Sequence, residues 1–430
     1  MATPSHGAHS ASTAPGAWDT AYEFKATLLL FLGFGLVGLD RWILPPLFAA
    51  KMGEDLGLTP ADLGNLVGAL GIAWGISAFV LGNVSDRLGR RKVLAPAVVF
   101  FSLMSALTGL VQTFLALVMI RVLMGVAEGA VAATGVATSV EASHPKRRGM
   151  NNGIFQCGFA LFGLALAPVL ATQLLQYMRW QYVFMVVAVP GLIVAAFMWK
   201  IIHDQMPGMT MHASHAAGKR PSIGEMFHHK NVILAMVNLL CAMAGIFVMS
   251  AMMPNYLTGD ASYLHLTVQQ MGFVTSAIGV GGVLGQFGMP TLSDVFGRKP
   301  VVSGSFLVSA IFLYIFTRQG GDNLALLFGL LFVASLANLG ALSVIAGPIA
   351  AEAAPPGLIA AVAGLVIGAG EVFGGGIAPA IAGNIATSYG IQYTMYFAIG
   401  GQVLGTILSL LLHETAPRKL GAVSPAVATR

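Results

Sequence analysis

Charged side chains are scarce in this sequence. Only 9% of its 430 residues are Asp, Glu, Lys or Arg, whereas 56% are hydrophobic. An ordinary soluble domain contains roughly 25% charged residues. Because no soluble core needs so much apolar surface, the composition excludes a soluble globular protein and predicts a chain embedded in a lipid bilayer.

Cysteine and intramembrane histidine are also lacking. The two cysteines, Cys157 and Cys241, lie far apart in apolar runs, so we expect no disulfide. All ten histidines fall in the N-terminal tail, in loops or at the ends of apolar runs. The apolar runs contain no nucleophile–base or metal-ligand spacing, which argues against an enzyme and predicts neither a metal nor a cofactor.

Long apolar stretches, separated by charge, glycine and proline, predict twelve membrane-spanning helices. We place them at about 24–50, 60–83, 93–111, 113–138, 149–173, 181–202, 231–257, 268–291, 300–317, 322–348, 356–384 and 390–413. The longest polar stretch divides them into two sets of six. The predicted domains are a disordered tail at 1–22, a helical bundle at 23–202, a linker at 203–230, a second bundle at 231–414 and a tail at 415–430.

The distribution of Lys and Arg predicts the orientation of these helices. With the N-terminus inside, 17 basic residues fall in cytoplasmic segments and three in outer loops. Both termini are therefore predicted to be cytoplasmic, in the inner membrane of a bacterium. The net charge of +5 follows from this basic inner face, so we expect no nucleic-acid partner.

One loop motif occurs twice. GNVSDRLGRRK spans 82–92 and PTLSDVFGRK spans 290–299. Three residues of the first copy match residues 208 positions later, and a glutamate pair is 211 apart: Asp86 with Asp294, Gly89 with Gly297, Arg90 with Arg298, and Glu141 with Glu352. The repeat predicts two duplicated six-helix bundles.

The first copy resembles the signature loop of the major facilitator superfamily, GxxxDRxGRR/K between helices 2 and 3. The resemblance covers nearly the whole chain and implies an all-α membrane fold of two pseudo-symmetric bundles around a central cavity that opens alternately to each side. It also implies a cytoplasmic ion-pair latch formed by Asp86, Arg90 and Glu141, with Asp294 and Arg298 in the second copy. Alternatively, these charges only set the topology.

Five ionisable residues lie well inside the predicted helices, where each charge costs at least ~2.5–3.5 kcal/mol. They are Asp40 and Arg41 in helix 1, Arg121 and Glu128 in helix 4, and Glu371 in helix 11. From the helical rise, Arg41 and Arg121 lie at a similar depth near mid-membrane. Two guanidiniums at one depth predict a site for a carboxylate. Without an intramembrane histidine, carboxylates must carry any proton.

LDR in helix 1 and RVLMGVAEG in helix 4 resemble the anion:cation symporter branch of the superfamily, which includes galactonate and glucarate symporters, sialin and vesicular glutamate transporters. The resemblance implies that Arg41 and Arg121 bind the substrate carboxylate. It also implies that Asp40 and Glu128 carry protons, occupying the arginines when ionised and releasing them when protonated. The alternative is a static buried ion network.

Three further residues complete the candidate substrate site: Trp74, Gln156 and Glu371. Trp74 stands where sugar-acid members of the branch often have tyrosine, and Glu371 departs from the branch. We predict a monomeric secondary transporter that takes up a sugar acid, aromatic acid or dicarboxylate together with protons. The alternatives are a proton-driven drug or metabolite exporter of the same fold, for which Glu371 is the best support, and a membrane sensor without transport.

Overall fold

The computed structural model of the protein describes residues 18–204, 227–258, 264–355, 359–416 and 418–419. Throughout these ranges the regular secondary structure is helical, with no β-strand. Helices suit a membrane interior because every backbone N–H and C=O is then satisfied within its own segment. The predicted tails and linker fall largely outside the described residues, so the domain boundaries stay predictions.

The first half contains six helices, several of them built from consecutive segments. They are α1 (Thr20–Trp42, continued by Leu44–Leu47, Phe48–Met52 and Gly53–Leu56), α2 (Pro60–Leu88), α3 (Arg90–Thr108), α4 (Phe114–Ala142), α5 (Arg148–Gly158, Phe159–Leu166 and Ala167–Leu174) and α6 (Trp180–Ile201).

The second half repeats this arrangement. Its helices are α7 (Lys230–Thr258), α8 (Val268–Phe296), α9 (Arg298–Thr317), α10 (Leu324–Val344, Ile345–Ile349 and Ala350–Glu352), α11 (Ile359–Ala369, Gly370–Ile377 and Ala378–Tyr389) and α12 (Gln392–Ser409). The twelve helices follow the predicted order. Eleven of the helices in the described ranges are long and apolar enough to cross a membrane. The remaining helix, α12, is the shortest of the twelve, begins at a glutamine and contains a second one, Gln402.

Equivalent helices of the two halves begin in the same way. Thr59 caps α2 and Thr267 caps α8, and each forms a capping box with the third residue of its helix. The helices that follow α2 and α8 both start after a glycine with a positive φ angle, +103° at Gly89 and +107° at Gly297. Other residues rarely adopt this conformation, so both copies of the loop motif require glycine here. The structure confirms the internal repeat.

Glycines bring α2 and α11 into close contact across the boundary between the halves. A Cβ atom at Gly68 would lie 2.6 Å from the carbonyl oxygen of Gly376, and one at Gly71 would lie 2.6 Å from that of Gly375. On the other side of the boundary, Gly272 and Gly279 of α8 similarly meet the backbone of α5. Both contacts involve the parts of these helices nearer the predicted outer face.

The halves are further apart toward the predicted cytoplasmic face. A Cβ atom at Gly364 or Gly368 of α11 would meet no described atom within 4 Å. On the opposite side, a Cβ atom at Gly153 of α5 would reach only Phe287 of α8, at 3.6 Å. The two bundles are therefore joined tightly at one end and loosely at the other.

Two π-helical segments occupy equivalent places in the two halves, Phe159–Leu166 in α5 and Gly370–Ile377 in α11. Such wide turns are uncommon and often occur at functional sites. The first packs against α1, where a Cβ atom at Gly163 would lie 2.6 Å from the carbonyl oxygen of Gly38. The second contains Glu371. Both segments therefore adjoin the intramembrane charges.

Candidate functional site

The structure brings the five intramembrane charges together at the boundary between the halves. Each of these residues is at most 4% exposed. Arg41 contacts Glu371, and Arg121 contacts the backbone of Asp40. Glu128 interacts electrostatically with the other four. The site is therefore assembled from α1 and α4 of the first half and α11 of the second.

Arg41 reaches across the boundary to the second half. Its Nη2 atom lies 3.3 Å from Oε2 of Glu371. Its guanidinium carbon is 4.6 Å from the ring centroid of Phe247 on α7, 5.6 Å from that of Trp42 and 6.0 Å from that of Phe159. Aromatic faces attract a guanidinium, so these rings hold Arg41 in place. Its Nε and Nη1 atoms have no hydrogen-bond partner among the described residues.

Arg121 is also incompletely paired. Its Nη1 atom donates a hydrogen bond of 3.4 Å to the backbone carbonyl of Asp40, whereas Nε and Nη2 have no partner within the described part of the chain. A buried donor without an acceptor costs about 1–3 kcal/mol, and more when it is charged. Arg41 and Arg121 thus present four unpaired guanidinium nitrogens, which suit a planar oxyanion.

The side chain of Asp40 is hydrogen-bonded to α3 and not to a described arginine side chain. Its Oδ1 atom accepts a hydrogen bond of 2.9 Å from the hydroxyl of Ser105 on α3. No described ion pair includes Asp40. Consecutive helical residues point about 100° apart, so Asp40 faces the interior of the first half while Arg41 faces the second half.

Glu128 lies two turns beyond Arg121 on α4 and is fully buried. Neither carboxylate oxygen has a hydrogen-bond donor among the described residues. The glycines on both sides of it place α4 directly against α2: a Cβ atom at Gly125 would lie 3.0 Å from Ala73 Cβ, and one at Gly129 would lie 2.9 Å from the backbone nitrogen of Ala78. Glu128 is therefore an acceptor group held inside a tight helix pair.

The other two predicted substrate contacts are placed differently. Trp74 of α2 is buried, and its indole N–H has no acceptor within the described ranges. Gln156 of α5 is half-buried, and no hydrogen bond joins its side chain to any of the five intramembrane charges. Roles in substrate binding stay predictions for both residues.

The predicted latch residues form ion pairs within each half. Arg90 of α3 contacts Glu141 of α4, with Nη2 2.6 Å from Oε1, and Arg298 of α9 contacts Glu352 of α10 at 2.9 Å. Arg298 also lies 2.7 Å from Asp294. The side chain of Asp86 lies outside the described part of the structure. These pairs join helices of one bundle, and their role as a latch of the closed cytoplasmic side stays a prediction.

Two carboxylates that the sequence analysis did not identify complete this arrangement. Oδ1 of Asp204 accepts hydrogen bonds from the backbone N–H groups of Arg91 at 3.0 Å and Lys92 at 3.4 Å. Glu414 accepts equivalent bonds from Arg298 at 2.8 Å and Lys299 at 3.2 Å. Burial raises the pKa of the Glu414 carboxyl, but four backbone donors outweigh burial and lower the pKa overall. The repeat offset could have identified this pair, since Asp204 and Glu414 are 210 positions apart.

A buried amide cluster lies in the second half. Asn338 of α10 and Gln402 of α12 converge on Gly245 of α7, where a Cβ atom would lie 2.9 Å from Nδ2 of Asn338. Both amides are at most 1% exposed, and several of their polar atoms have no partner among the described residues. The sequence signal for this cluster is the presence of amide residues inside the predicted spans.

Known proteins share this architecture. The Major Facilitator Superfamily profile matches residues 30–263 and 257–428. A bacterial homologue of the human lysosomal transporter Spinster, crystallised in an inward-facing and unoccupied conformation, superposes with a TM-score of 0.76. It is 15% identical in sequence, and the alignment covers 92% of this chain and 97% of that one.

Sequence relatives agree with this assignment. The chain is 28% identical over 375 residues to the probable 4-methylmuconolactone transporter of Cupriavidus pinatubonensis strain JMP 134, covering 84% of this chain and 83% of that protein. It is 31% identical over 173 residues to the probable L-galactonate transporter of Escherichia coli strain K12, covering 40% and 38%. The two profile matches together span nearly the whole chain, so this multi-pass membrane protein belongs to the Major Facilitator Superfamily and is a transporter rather than an enzyme.

Proposed function

We propose that the protein takes up a small organic carboxylate together with protons. The observation that carries this proposal is the pair of buried guanidiniums, Arg41 and Arg121, with four unpaired nitrogens where the two halves meet. Positive charge buried in a membrane is costly, and an anionic substrate would offset that cost. The organic acids named for the two relatives support the same substrate class.

Proton coupling is assigned to Asp40 and Glu128. Glu128 is close enough to both arginines to compete electrostatically with a substrate anion, and no described residue donates a hydrogen bond to it. The backbone carbonyl of Asp40 accepts a hydrogen bond from Arg121. A proton on either carboxylate removes negative charge from the site and therefore favours anion binding. By linkage, the bound anion favours protonation to the same extent.

The setting of this activity is also proposed. The excess of basic residues on one face supports an orientation with both termini in the cytoplasm of a bacterial cell. The loose end of the two bundles would then face the cytoplasm, and the unit of transport would be a single chain in the lipid bilayer. In this state, a substrate would be released inward.

A thermal-shift screen of the purified protein tests the substrate class. Sugar acids, aromatic acids and small dicarboxylates are compared with the corresponding neutral amides. We expect at least one carboxylate to raise the melting temperature, and Arg121→Ala to abolish the shift. Arg121→Lys keeps the charge but loses the bidentate donor geometry, so we expect weaker binding. If no carboxylate stabilises the wild-type protein, the proposal is wrong.

One observation favours a second candidate, a proton-driven drug or metabolite exporter. Glu371 is an intramembrane acid that the anion:cation symporter branch does not predict, and it contacts Arg41 directly. The two functions differ in direction. In proteoliposomes, an inward proton gradient would drive accumulation of substrate by a symporter, whereas an exporter would move its substrate against the direction of proton flow.

A further inference from the structure

We propose that Glu371 is an internal substitute for the substrate: its carboxylate occupies Arg41 when the site is empty, and the substrate carboxylate displaces it as Glu371 takes up one proton. This inference rests on the proposed function. It assigns to an acid of the second half a role that the sequence analysis gave to Asp40 and Glu128, which belong to the first half.

Contacts distinguish Glu371 from the other two central acids. Glu371 is the carboxylate that forms an ion pair with Arg41, at 3.3 Å. Asp40 is engaged by Ser105, and Glu128 forms no ion pair with a described side chain. An acid that already occupies a binding arginine must leave before an anionic ligand can take the same donors. Glu371 is therefore the direct competitor of the substrate.

The position of Glu371 is built into the backbone of α11. A Cβ atom at Gly375 would lie 2.7 Å from Oε2 of Glu371 and 2.6 Å from Cε2 of Phe247. The carboxylate therefore lies over a glycine, beside the ring that also faces Arg41. Any larger residue at position 375 would push it out of this place. The π-helical segment that begins at Gly370 carries both Glu371 and Gly375.

Few other charges influence this carboxylate. Arg41 faces it from α1, and Glu128 interacts with it from α4, where Arg121 lies two turns away. The neighbouring part of α2 approaches through Gly75, and α7 approaches through Phe247. Between residues 63 and 85, α2 contains no ionisable residue, and α7 contains no acidic or basic residue after Lys230. Among the described charged groups, Arg41 and Glu128 are therefore the ones that interact with Glu371.

The exchange balances in charge and in atoms. Before substrate binding, the Glu371 carboxylate neutralises the Arg41 guanidinium. Afterwards, the substrate carboxylate neutralises Arg41, and Glu371 holds a proton taken from the solution that delivered the substrate. One proton is bound for each carboxylate, and the charge of the site is unchanged. On release of the substrate, Glu371 loses the proton and returns to Arg41.

Among ion pairs between described side chains, Arg41–Glu371 alone joins the two halves. Substrate binding would thus also break the one ionic link that joins described side chains across the boundary. The same event that loads the carrier would remove a restraint between the bundles that must move relative to each other. Binding and reorientation are coupled through one side chain.

The test measures binding of L-galactonate, benzoate and succinate to the purified full-length protein between pH 5.5 and 8.5. For wild type we expect the Kd to rise by up to about tenfold per pH unit at the alkaline end, because each bound carboxylate then needs a proton. Glu371→Gln cannot ionise, so its Kd should vary less with pH and be at least about tenfold lower than wild type at pH 8.5. Glu54→Gln, an exposed acid on the outer end of α1, is the matched control and should behave as wild type.

The outcomes separate this inference from the proposed function. If wild type binds none of the three acids at any pH, the proposed function fails. If wild type binds an acid but Glu371→Gln keeps the wild-type pH dependence, only the role of Glu371 is overturned. Should Glu371→Gln not fold, Glu371→Asp decides: its shorter side chain still titrates but competes less well for Arg41. It should bind more tightly than wild type at pH 8.5, and unchanged affinity would overturn the role.

Discussion

The hydroxyl of Ser105 on α3 donates a 2.9 Å hydrogen bond to the carboxylate of Asp40 on α1. Both residues are buried within the first half. This bond turns Asp40 toward the core of its own bundle while Arg41, the next residue, contacts the other bundle. Two adjacent charged residues of one helix therefore contact different bundles. The bond to Ser105 can be tested separately from the arginine site.

Removing this hydroxyl should destabilise the protein. Ser105→Ala leaves the buried Asp40 carboxylate without its donor, at a cost of about 1–3 kcal/mol in the free energy of unfolding. Ser102→Ala is the matched control: it lies one turn earlier on the same helix, and its hydroxyl has no hydrogen-bond partner among the described residues. Thermal melts in detergent should show a lower melting temperature for Ser105→Ala only. Equal shifts in the two variants would contradict the bond's importance.

Glu128→Gln should separate substrate movement from proton coupling. The amide keeps the size of the side chain but cannot exchange a proton, so an inward proton gradient should drive less uptake into proteoliposomes, because only the proton carried by Glu128 is lost and the one taken up by Glu371 remains. Counterflow of labelled against unlabelled substrate needs no net proton movement and should survive. Glu54→Gln serves as the control with normal gradient-driven uptake. Intact gradient-driven uptake in Glu128→Gln would remove this residue from the coupling mechanism.

The close contact between α2 and α11 should tolerate no larger residue. The methyl group of Gly71→Ala would lie 2.6 Å from the Gly375 carbonyl oxygen, which is too close for contact, so the helices must separate. We expect slower transport and a lower melting temperature, because the conformation that is closed at the predicted outer end loses contacts between α2 and α11. Gly364→Ala on α11, where a Cβ atom would meet no described atom within 4 Å, should leave both properties near wild type.

Glu414 should stabilise the protein only above acidic pH. Its pKa is lowered because backbone N–H groups at the start of α9 and just after Glu414 donate to the ionised carboxylate, despite the opposing effect of burial. The stabilisation is therefore present above the pKa of the unfolded state, about 4.3, and is lost as pH falls through the lower folded value. The melting temperature of Glu414→Gln should lie below that of wild type at pH 7. The two should converge as pH falls below about 4.

Most of the fold follows from the sequence because membrane helices leave strong signals. Apolar length predicts the spans, and the two glycines of the repeated loop predict a pair of equivalent turns, which the structure confirms at Gly89 and Gly297. The helix ends were less predictable. The first helix continues to Leu56, several residues beyond the predicted end at 50, through the segments Phe48–Met52 and Gly53–Leu56, and it ends at Gly57, whose φ angle is +61°.

The partners within the candidate site could not be derived from spacing alone. Depth placed Arg41 and Arg121 near each other, but depth does not show which face of a helix a side chain occupies. Arg41 and Glu371 are 330 positions apart in sequence, and their contact depends on how the two bundles are rotated about one another. The hydrogen bond from Ser105 to Asp40 lies within one bundle and depends on which faces of α1 and α3 meet. A serine in an apolar run carries no sign of its partner.

The contact between the halves at their predicted outer ends consists of glycine backbones and apolar side chains, with a hydrogen bond from the Ala61 N–H to the Thr387 hydroxyl, and no ion pair between described residues joins the halves there. Dispersion and shape complementarity at such a contact do not depend on dissolved ions, whereas exposed charge pairs are weakened by them. The conformational equilibrium at this end should therefore be insensitive to the salinity of the surroundings. A transporter that faces a variable external medium would keep its outer closure constant while salt concentration changes.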